Sequence, residues 1–436
     1  MAKKKNVEKP PRQLTRRQLS SHKRQQRRQR IIFIGGIAII VAVVLIVLLG
    51  WFLGEYRPMH QTVIRVGDAS FDTRYFIDTL KLYGQGQSTD QFGVISTRVV
   101  NYIIQNEVIR QAADKVGIRV SDEEVLQEMG NPDVPVSRAY LDVVRANLVQ
   151  KRVKDEYIGS NIPVSDNQVD IMAMFVESHS VALELRERLV AGDNFTALAA
   201  EFAQNYTSKQ NNGEYGWHPR SILEQQLGSE IPIDFAFSAA PGTLSQPLDD
   251  AESYKQLGYW LIRVQSITED EEAMVQALYL SSREEALDIR ARLEAGDNLT
   301  ALADEYSQYS PSQEGHGDLG MVTKPAEADK TAITEAFDGY VFGSDVKIGE
   351  WSEPIKEDVL WTKGGSWLVE LIDKEANRKL SDEDRNSLID QAYDDWVSGL
   401  MAGLTENEVD SSGLTPELNQ WAIDRAIEEM QSGEGQ

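Results

Sequence analysis

The chain has 436 residues, of which 44 are basic and 69 acidic, and its net charge at pH 7 is −25. It contains no cysteine, which excludes disulfides, zinc–thiolate sites and thiol catalysis. Residues 1–30 hold 12 of the basic side chains against one acid, so the remaining 32 basic and 68 acidic residues give the rest of the chain a net charge of −36. A surface of this charge repels phosphate backbones, and we expect no nucleic-acid partner.

The first predicted element is a membrane span. Residues 31–53 are 23 consecutive residues without a charge, long enough as a helix, at about 1.5 Å per residue, to cross a hydrocarbon core of about 30 Å. The basic tail 1–30 favours a cytoplasmic N-terminus and extracytoplasmic domains. A cleaved signal peptide is the alternative, but its apolar region is usually shorter, and Trp51 and Phe52 favour a retained anchor. The sequence therefore predicts a single-pass cell-membrane protein whose residues 31–53 contact the lipid bilayer.

The segment 61–165 is predicted to form a mainly helical domain. A turn at Val66-Gly67-Asp68 leads into a first helix, and Ser121 and Glu124 have the spacing of a capping box that begins a later one. A middle helix is indicated by apolar residues at helical spacing, namely Val99, Val100, Ile103, Ile104, Val108 and Ile109.

An internal repeat organises the next part of the chain. Residues 186–205 and 290–309 are identical at 13 of 20 positions, and such self-similarity indicates two copies of one domain. A later Gly-x-x-Ser-x-Pro turn and a Gly-x-Trp sequence also recur, each after 107 residues rather than 104. We predict one domain at 166–268 and a second at 272–376.

Both copies predict the same order of elements. A short apolar strand precedes a helix that ends at a glycine. An asparagine, or in the first copy the aspartate before it, caps a second helix. A closing strand then completes an α+β fold. In the first copy the strand is 171–176, the helix ends at Gly192, the cap is Asp193 or Asn194, and the closing strand is 259–264. In the second copy the strand is 275–280, the helix ends at Gly296, the cap is Asn298, and the closing strand is 367–372.

Residues 381–430 are predicted to form a C-terminal helical segment. Its amphipathic stripe needs an apolar partner, for which the domain 61–165 is the candidate. The stripe consists of Leu388, Ile389, Ala392, Tyr393, Trp396, Val397, Leu400 and Met401.

These motifs, in this order, resemble the parvulin (PpiC, or rotamase) family of peptidyl-prolyl isomerases. The chain from about 61 to 400 is similar to membrane-anchored foldases with a SurA-type N-terminal domain, of the SurA and PrsA type. The resemblance rests on the repeated Gly-Asp-Asn helix start, the turns Gly317-Asp318-Leu319-Gly320 and Gly213-Glu214-Tyr215-Gly216, the repeated Gly-x-x-Ser-x-Pro turn, Val66-Gly67-Asp68, and residues 107–124.

The resemblance implies a catalytic groove but does not supply its chemistry. Parvulins place one histidine on the first strand, an aspartate or cysteine in a loop, and another histidine on the last strand. In both copies of this chain the matching positions hold neither the histidines nor the aspartate or cysteine. No catalytic residue is therefore assigned, and the two copies are expected to have lost catalytic activity. The groove positions that match the motif are Ala173, Asn205 and Trp260 in the first copy, and Ala277, Tyr309, Leu319 and Trp367 in the second.

No cofactor or metal is predicted. Residues 315–320 match G-x-G-x-x-G, but no helix opens there, as a dinucleotide site requires. His179, His218 and His316 have no second histidine at ligand spacing, which favours surface positions.

Three functions remain open. The resemblance favours an extracytoplasmic chaperone or foldase that binds unfolded or newly exported polypeptides, including proline-containing segments. One copy could instead retain prolyl isomerase activity, and the second copy, with its Gly-Asp-Leu-Gly turn, is the better candidate. The third alternative is a non-catalytic scaffold for a dedicated partner protein.

Overall fold

The computed structural model describes residues 16–130, 136–325, 333–405 and 408–433. Half of the predicted basic tail, residues 1–15, lies outside the described residues. Two compact units are present: the first combines Met1–Gly159 with Ala392–Gln436, and the second comprises Ser160–Gln391.

The N-terminal helix is long. Helix α1 (Arg16–Trp51) continues into a π-helical turn (Phe52–Tyr56) and α2 (Arg57–Met59). By length and composition alone, Phe33–Met59 is suited to crossing a membrane. The side chain of Tyr56 stacks on His60, with ring centroids 4.3 Å apart.

A small hairpin and a helix bundle form the first unit. Gly67, at φ +56°, closes the turn between the first two strands, so the structure adds a second strand between the predicted turn and the first helix. Asp72 caps that helix by accepting a hydrogen bond from the Tyr75 N–H at 2.9 Å, and the predicted Ser121–Glu124 capping box is confirmed. The elements are β1 (Thr62–Val66), β2 (Ala69–Asp72), α3 (Thr73–Gly84), α4 (Phe92–Lys115), α5 (Asp122–Met129) and α6 (Arg138–Arg152), with a 3-10 turn (Thr89–Gln91) and a π-helical turn (Val153–Ile158).

The second unit begins with nine elements, of which the first three, a strand and two helices, follow the predicted order. Gly192, at φ +105°, ends one helix, and Asn194 caps the next by accepting from the Ala197 N–H at 3.1 Å. The elements are β3 (Ser165–Val176), α7 (His179–Val190), α8 (Phe195–Phe202), α9 (Tyr206–Gln210), β4 (Glu214–Pro219), α10 (Arg220–Leu227), α11 (Glu230–Ser238), β5 (Thr243–Leu244) and β6 (Leu248–Lys255).

A second set of elements repeats this pattern. Gly296, at φ +98°, and the cap Asn298 occupy the positions equivalent to those of the first copy. The elements are β7 (Gly258–Ile267), β8 (Glu272–Leu280), α12 (Arg283–Glu294), α13 (Leu299–Tyr306), α14 (Ser310–Glu314), β9 (Asp318–Thr323), α15 (Glu335–Val341) and β10 (Ile355–Glu357), followed by β11 (Thr362–Lys379).

Each sheet contains the closing strand that the sequence repeat assigns to the other copy. One sheet has the order β4-β3-β11-β5, with β6 also paired to β11, and the other has the order β10-β7-β8-β9. Trp367 therefore faces Phe175 across one ladder, and Trp260 faces Tyr279 across the other. We call β3–β6 with β11 the first module, and β7–β10 with their helices the second module.

This pairing corrects the predicted assignment of the closing strands. The sequence assigned 259–264 to the first copy and 367–372 to the second, and the structure assigns them the other way round. Strand β7 is joined to β8 by only four residues, so that a local hairpin forms at a low cost in loop entropy. The domain bounds 166–268 and 272–376 remain predictions.

The chain ends by returning to the first unit. The elements are α16 (Asp382–Ala402), β12 (Val409–Asp410) and α17 (Pro416–Ser432). Strand β12 pairs with β1, and Leu400 and Met401, the last two residues of the predicted stripe, pack against the core of the helical domain. Leu388 and Ile389 lie in the part of α16 that belongs to the second unit. Helix α17 buries Ala422 and Ile423 in the same core, an arrangement that no sequence pattern indicated.

Candidate functional site

The groove face of the first module is built by strand alternation. On β3, Val169, Ile171, Ala173 and Phe175 pack on one side of the sheet under α10 and α11. The intervening residues of the strand pack on the other side, against α7 and α8. Because side chains alternate along a strand, the motif position Ala173 must lie on the groove face, where it is fully buried.

Trp367 fills the floor of this groove. Its side chain is 1% exposed, and its ring centroid lies 5.0 Å from that of Phe175. The indole Nε1 donates to Asp250 Oδ2 at 3.1 Å. Burial alone would raise the pKa of Asp250, but hydrogen bonds from Ser229, Ser253 and Trp367 lower it below its usual value.

The loop position Asn205 belongs to a small polar network. Its Oδ1 accepts from the Phe175 N–H at 3.3 Å, and its Nδ2 donates to the Tyr215 hydroxyl at 3.3 Å. The Ser208 hydroxyl is 2.8 Å from the same Tyr215 oxygen. Burial raises the pKa of Tyr215, so this hydroxyl stays protonated and acts as a hydrogen-bonding group, not as a base.

An aromatic cluster fills the groove of the second module. Trp260 is fully buried, with ring centroids 4.7 Å from Tyr279, 5.1 Å from Tyr309 and 5.0 Å from Phe337. The motif positions Ala277 and Leu319 belong to the same core. The structure therefore brings together Ala277, Tyr309, Leu319 and Trp260, and it brings Ala173 and Asn205 together with Trp367.

A difference between the modules lies beside these tryptophans. Glu357 is equivalent to Asp250 after the 107-residue shift, and its Oε1 accepts from the backbone N–H groups of Asp358 and Val359 at 3.0 and 2.9 Å. Within the described part of the chain, however, neither Glu357 Oε2 nor Trp260 Nε1 has a hydrogen-bond partner. The tryptophan–carboxylate hydrogen bond is thus made in the first module alone.

The three histidines singled out in the sequence pair with carboxylates elsewhere. His179 contacts Asp249 at 2.8 Å, His316 contacts Asp304 at 2.7 Å, and His218 contacts Asp384 at 2.9 Å. His218 is half-buried, which corrects its prediction as a surface residue, because helix α16 packs over it through Asp384. Among the described residues no cluster of three potential metal ligands occurs.

The Gly317–Gly320 turn is structural in its contacts. Asp318 is exposed, and its Oδ1 accepts from the Gly320 N–H at 2.8 Å, which closes the turn at the start of β9. At the motif positions of both modules the side chains are therefore apolar, aromatic or amide groups, and none supplies an acid, a base or a nucleophile near neutral pH.

The helical domain contains a cavity that no motif indicated, because its lining comes from several separate elements. The cavity measures about 470 Å³. The guanidinium of Arg138 lies above the rings of Phe71 and Tyr75, 5.6 and 5.3 Å from their centroids. Apolar side chains also line the cavity, among them Ile103, Ile118 and Val149.

Balanced charges also line this cavity. Arg145 pairs with Asp122 at 2.6 Å and also with Asp142, and Arg110 pairs with Glu107 at 2.6 Å. Burial is the main reason that the pKa of Asp142 is raised above its usual value. The lining thus combines apolar side chains with charged side chains that are paired with one another.

Comparisons with known families agree with this architecture. Residues 24–142 match the model of the SurA-like N-terminal domain, and residues 176–266 and 260–362 each match the model of the PPIC-type PPIase domain. The last two matches overlap at 260–266, inside β7, the strand that changes sheets relative to the repeat.

Individual relatives are distant. The chain is 24% identical over 188 residues to the foldase protein PrsA of Caldanaerobacter subterraneus subsp. tengcongensis, a match that covers 40% of this chain and 58% of that protein. It is 20% identical over 402 residues to the chaperone SurA of Saccharophagus degradans, covering 77% of this chain and 88% of that one. The structure of the peptidyl-prolyl isomerase PrsA from Bacillus anthracis aligns with 76% of this chain and 96% of its own at 10% identity, with a TM-score of 0.26, too low to establish a shared overall arrangement.

Proposed function

We propose a chaperone function, because the chain belongs to the SurA- and PrsA-type foldases: it carries a SurA-like N-terminal domain followed by two PPIC-type PPIase domains. Its partners are unfolded or newly exported polypeptides, and its PPIase modules are non-catalytic. Residues 31–53 anchor it in the cell membrane with the domains outside the cytoplasm. The single observation that carries the non-catalytic assignment is the complete burial of Trp260 and Trp367 at the positions of the last-strand histidine.

Prolyl isomerisation needs no covalent chemistry. The non-catalytic assignment therefore depends more on the aromatic side chains packed at the motif positions than on the missing histidines. Rotation about a prolyl bond crosses a barrier of about 18–20 kcal/mol without covalent chemistry. A catalyst must take the amide out of water and support the rotating bond. Trp260 packs among three aromatic rings and Trp367 packs against Phe175, so an aromatic core takes the place of the last-strand histidine in both modules.

A protease-coupled assay with an X-Pro peptide tests this part of the proposal. We expect the full chain in detergent to leave the isomerisation rate equal to the uncatalysed rate. A faster rate would establish the alternative, an active isomerase. Although the sequence favours the second copy, the Asn205–Tyr215 network of the first module would then be the group to test, because it is a polar network at a motif position; loss of the rate in Asn205→Ala and Tyr215→Phe would place the activity there.

The cavity of the helical domain supports the chaperone assignment. A cavity of about 470 Å³ is within the range of ligand pockets. Its apolar lining residues suit an apolar side chain of an extended segment, and its equal numbers of acidic and basic lining residues do not select for client charge. The Asn106 side chain lines the same cavity, and a side-chain amide offers both a donor and an acceptor to a peptide backbone.

Suppression of aggregation by the full chain in nanodiscs tests this. We expect a thermally unfolding client to stay soluble at stoichiometric excess, and Ala146→Trp, which fills the cavity, to weaken the protection severalfold. Asn147→Trp, on the exposed face of the same helix, is the matched control and should protect like the unaltered chain. If neither the unaltered chain nor the control protects the client, the chaperone proposal fails; if Ala146→Trp protects fully, only the cavity is excluded. One stable partner in pull-downs without affinity for unfolded chains would favour a scaffold instead.

A further inference from the structure

The chain leaves the first module and re-enters it at a single point. It leaves after Lys255 and returns at Thr362, and these two residues are paired across β6 and β11. The Thr362 hydroxyl donates to the Leu257 carbonyl at 2.5 Å, and the buried Lys255 ammonium donates to the Gly364 carbonyl. The stretch 256–361 is thus an excursion whose two ends are held together at its base.

The two sheets depend on this excursion differently. Every strand of the second sheet, β7 to β10, lies within the excursion. The first sheet requires β11, which follows the excursion and pairs with β3 over most of the length of both strands. The second module therefore contains its whole sheet, whereas the first module is complete only when the chain has returned.

We propose that the second module acts as a folding clamp, by which we mean that its folding brings the strands of the first sheet together. The coupling is one-way, because the second module folds without requiring the first module. The physical reason is loop closure. Strands β3 and β11 are separated by nearly the whole of both modules, and bringing distant segments together becomes more unfavourable as the intervening chain lengthens. Once the excursion is folded, its ends at Leu257 and Thr362 are already adjacent, and the chain still to be closed between β3 and β11 falls from residues 177–361 to residues 177–255.

Hydrogen bonds at the base of the excursion hold the second module against the first module. Glu177, which follows β3, accepts from the Tyr259 hydroxyl at 3.1 Å and from the Arg283 N–H at 2.7 Å. Gln308 exchanges two hydrogen bonds with the backbone of Lys363, at 3.1 and 2.6 Å. A folded second module therefore positions both the start of β11 and the end of β3, the two segments that must pair.

Engineered disulfides test the strand exchange directly, because the chain has no cysteine of its own. Met172 pairs with Glu370, and Arg263 pairs with Gln276; Cα atoms of directly paired residues lie within disulfide reach. All four side chains are half-buried. We expect M172C/E370C and R263C/Q276C to cross-link fully in the full chain.

The matched pairs are M172C/R263C and Q276C/E370C, which would be neighbours if each copy of the repeat closed its own sheet. We expect neither to cross-link, as judged by mass spectrometry after digestion. Dominant cross-linking of these two pairs would overturn the exchange and the clamp with it.

Hydrogen exchange in the full chain tests the direction of the coupling. Phe337 on α15 and Ile233 on α11 are equivalent after the 104-residue shift, and both are fully buried. Phe337→Ala is expected to speed amide exchange at least tenfold in both β8 and β3. Ile233→Ala is expected to do so in β3 and β4, and to leave β8 and β9 at the rates of the unaltered chain.

Two results would overturn the clamp: unchanged protection of β3 in Phe337→Ala, or loss of protection in β8 equal to that in β3 in Ile233→Ala. If either alanine variant does not fold, Phe337→Leu and Ile233→Val give the same comparison with smaller perturbations.

Discussion

Trp367 Nε1 donates a hydrogen bond to Asp250 Oδ2 at 3.1 Å, and this contact joins the closing strand of the first sheet to its neighbour β6. Asp250 also accepts from the Ser229 and Ser253 hydroxyls, at 2.6 and 2.7 Å. A single carboxylate thus satisfies the buried tryptophan and fixes the loop before α11.

Asp250→Asn should therefore destabilise the second unit. An amide cannot accept all of these hydrogen bonds, and losing bonds to a charged acceptor lowers the free energy of unfolding by about 1–3 kcal/mol. The equivalent Glu357→Gln is the matched control. Because Glu357 Oε2 has no hydrogen-bond partner among the described residues, this substitution should lower the free energy of unfolding by clearly less. Urea unfolding of both variants makes the comparison, and equal losses would contradict the role assigned to the Trp367 contact.

Lys255 predicts a stability that rises at alkaline pH. Burial lowers its pKa to about 8, against the opposing effect of Glu177 and Glu285, whereas the pKa of an unfolded lysine is about 10.4. Below pH 8 the ammonium is charged in both states and the burial penalty is fully present; as pH rises from 8 towards 10.4 the folded protein loses the proton first and the penalty disappears.

Lys255→Met should accordingly stabilise the chain at pH 7 by about 1–3 kcal/mol, with a difference that shrinks by pH 10. Urea midpoints at the two pH values measure this. Lys374→Met replaces an exposed lysine and serves as the control. A stabilisation that is the same at both pH values would show that packing, not charge, is responsible.

Glu429 should hold the C-terminal helix in place. Only 6% of the residue is exposed, and its carboxylate accepts from Arg74 and Lys81, both at 2.9 Å. Glu429→Ala removes both charged hydrogen bonds and should cost about 1–3 kcal/mol, measured by urea unfolding of the first unit. Glu428→Ala, one residue earlier with an exposed side chain, should have little effect.

Acid should weaken the same contact. Burial alone would raise the pKa of Glu429, but the hydrogen bond from Lys81 and the charge of Arg74 lower it. A carboxylate with a lowered pKa contributes stability above its unfolded pKa of about 4.3, and loses that contribution as pH falls through the folded value. Glu429→Gln should therefore flatten the fall in stability below pH 4; an unchanged acid limb would contradict this.

Membrane topology is accessible to thiol labelling, since each single-cysteine variant carries the only thiol of the chain. Ser411→Cys, at an exposed position of the first unit, should react with a membrane-impermeant maleimide in intact cells. Ser20→Cys, in the basic segment before the apolar run, should react only after lysis. Labelling of Ser20→Cys in intact cells would reverse the proposed orientation.

Local features of the fold could be predicted from the sequence because they depend on short-range chemistry. The capping box at Ser121, the left-handed glycines Gly192 and Gly296 and the caps Asn194 and Asn298 occur as expected. Each follows from residues within a few positions of one another.

The partners of the closing strands could not be predicted in the same way. β7 and β11 carry the same Gly-x-Trp pattern, so either strand suits either sheet, and the choice depends on loop length and packing between modules. The cavity could not be predicted for a related reason: Phe71, Asn106 and Arg145 are far apart in sequence, and only the packing of the helices brings them to one cavity.

The contact between Leu257 and Thr362 has an evolutionary consequence. Because the excursion begins and ends at neighbouring points, an in-frame deletion of the intervening codons would remove one entire module and leave the β3–β11 ladder of the other joined by a short connection. A gene of this design can lose or acquire its inner module in one event. If the two modules followed one another and exchanged strands elsewhere, the same deletion would remove strands from both sheets.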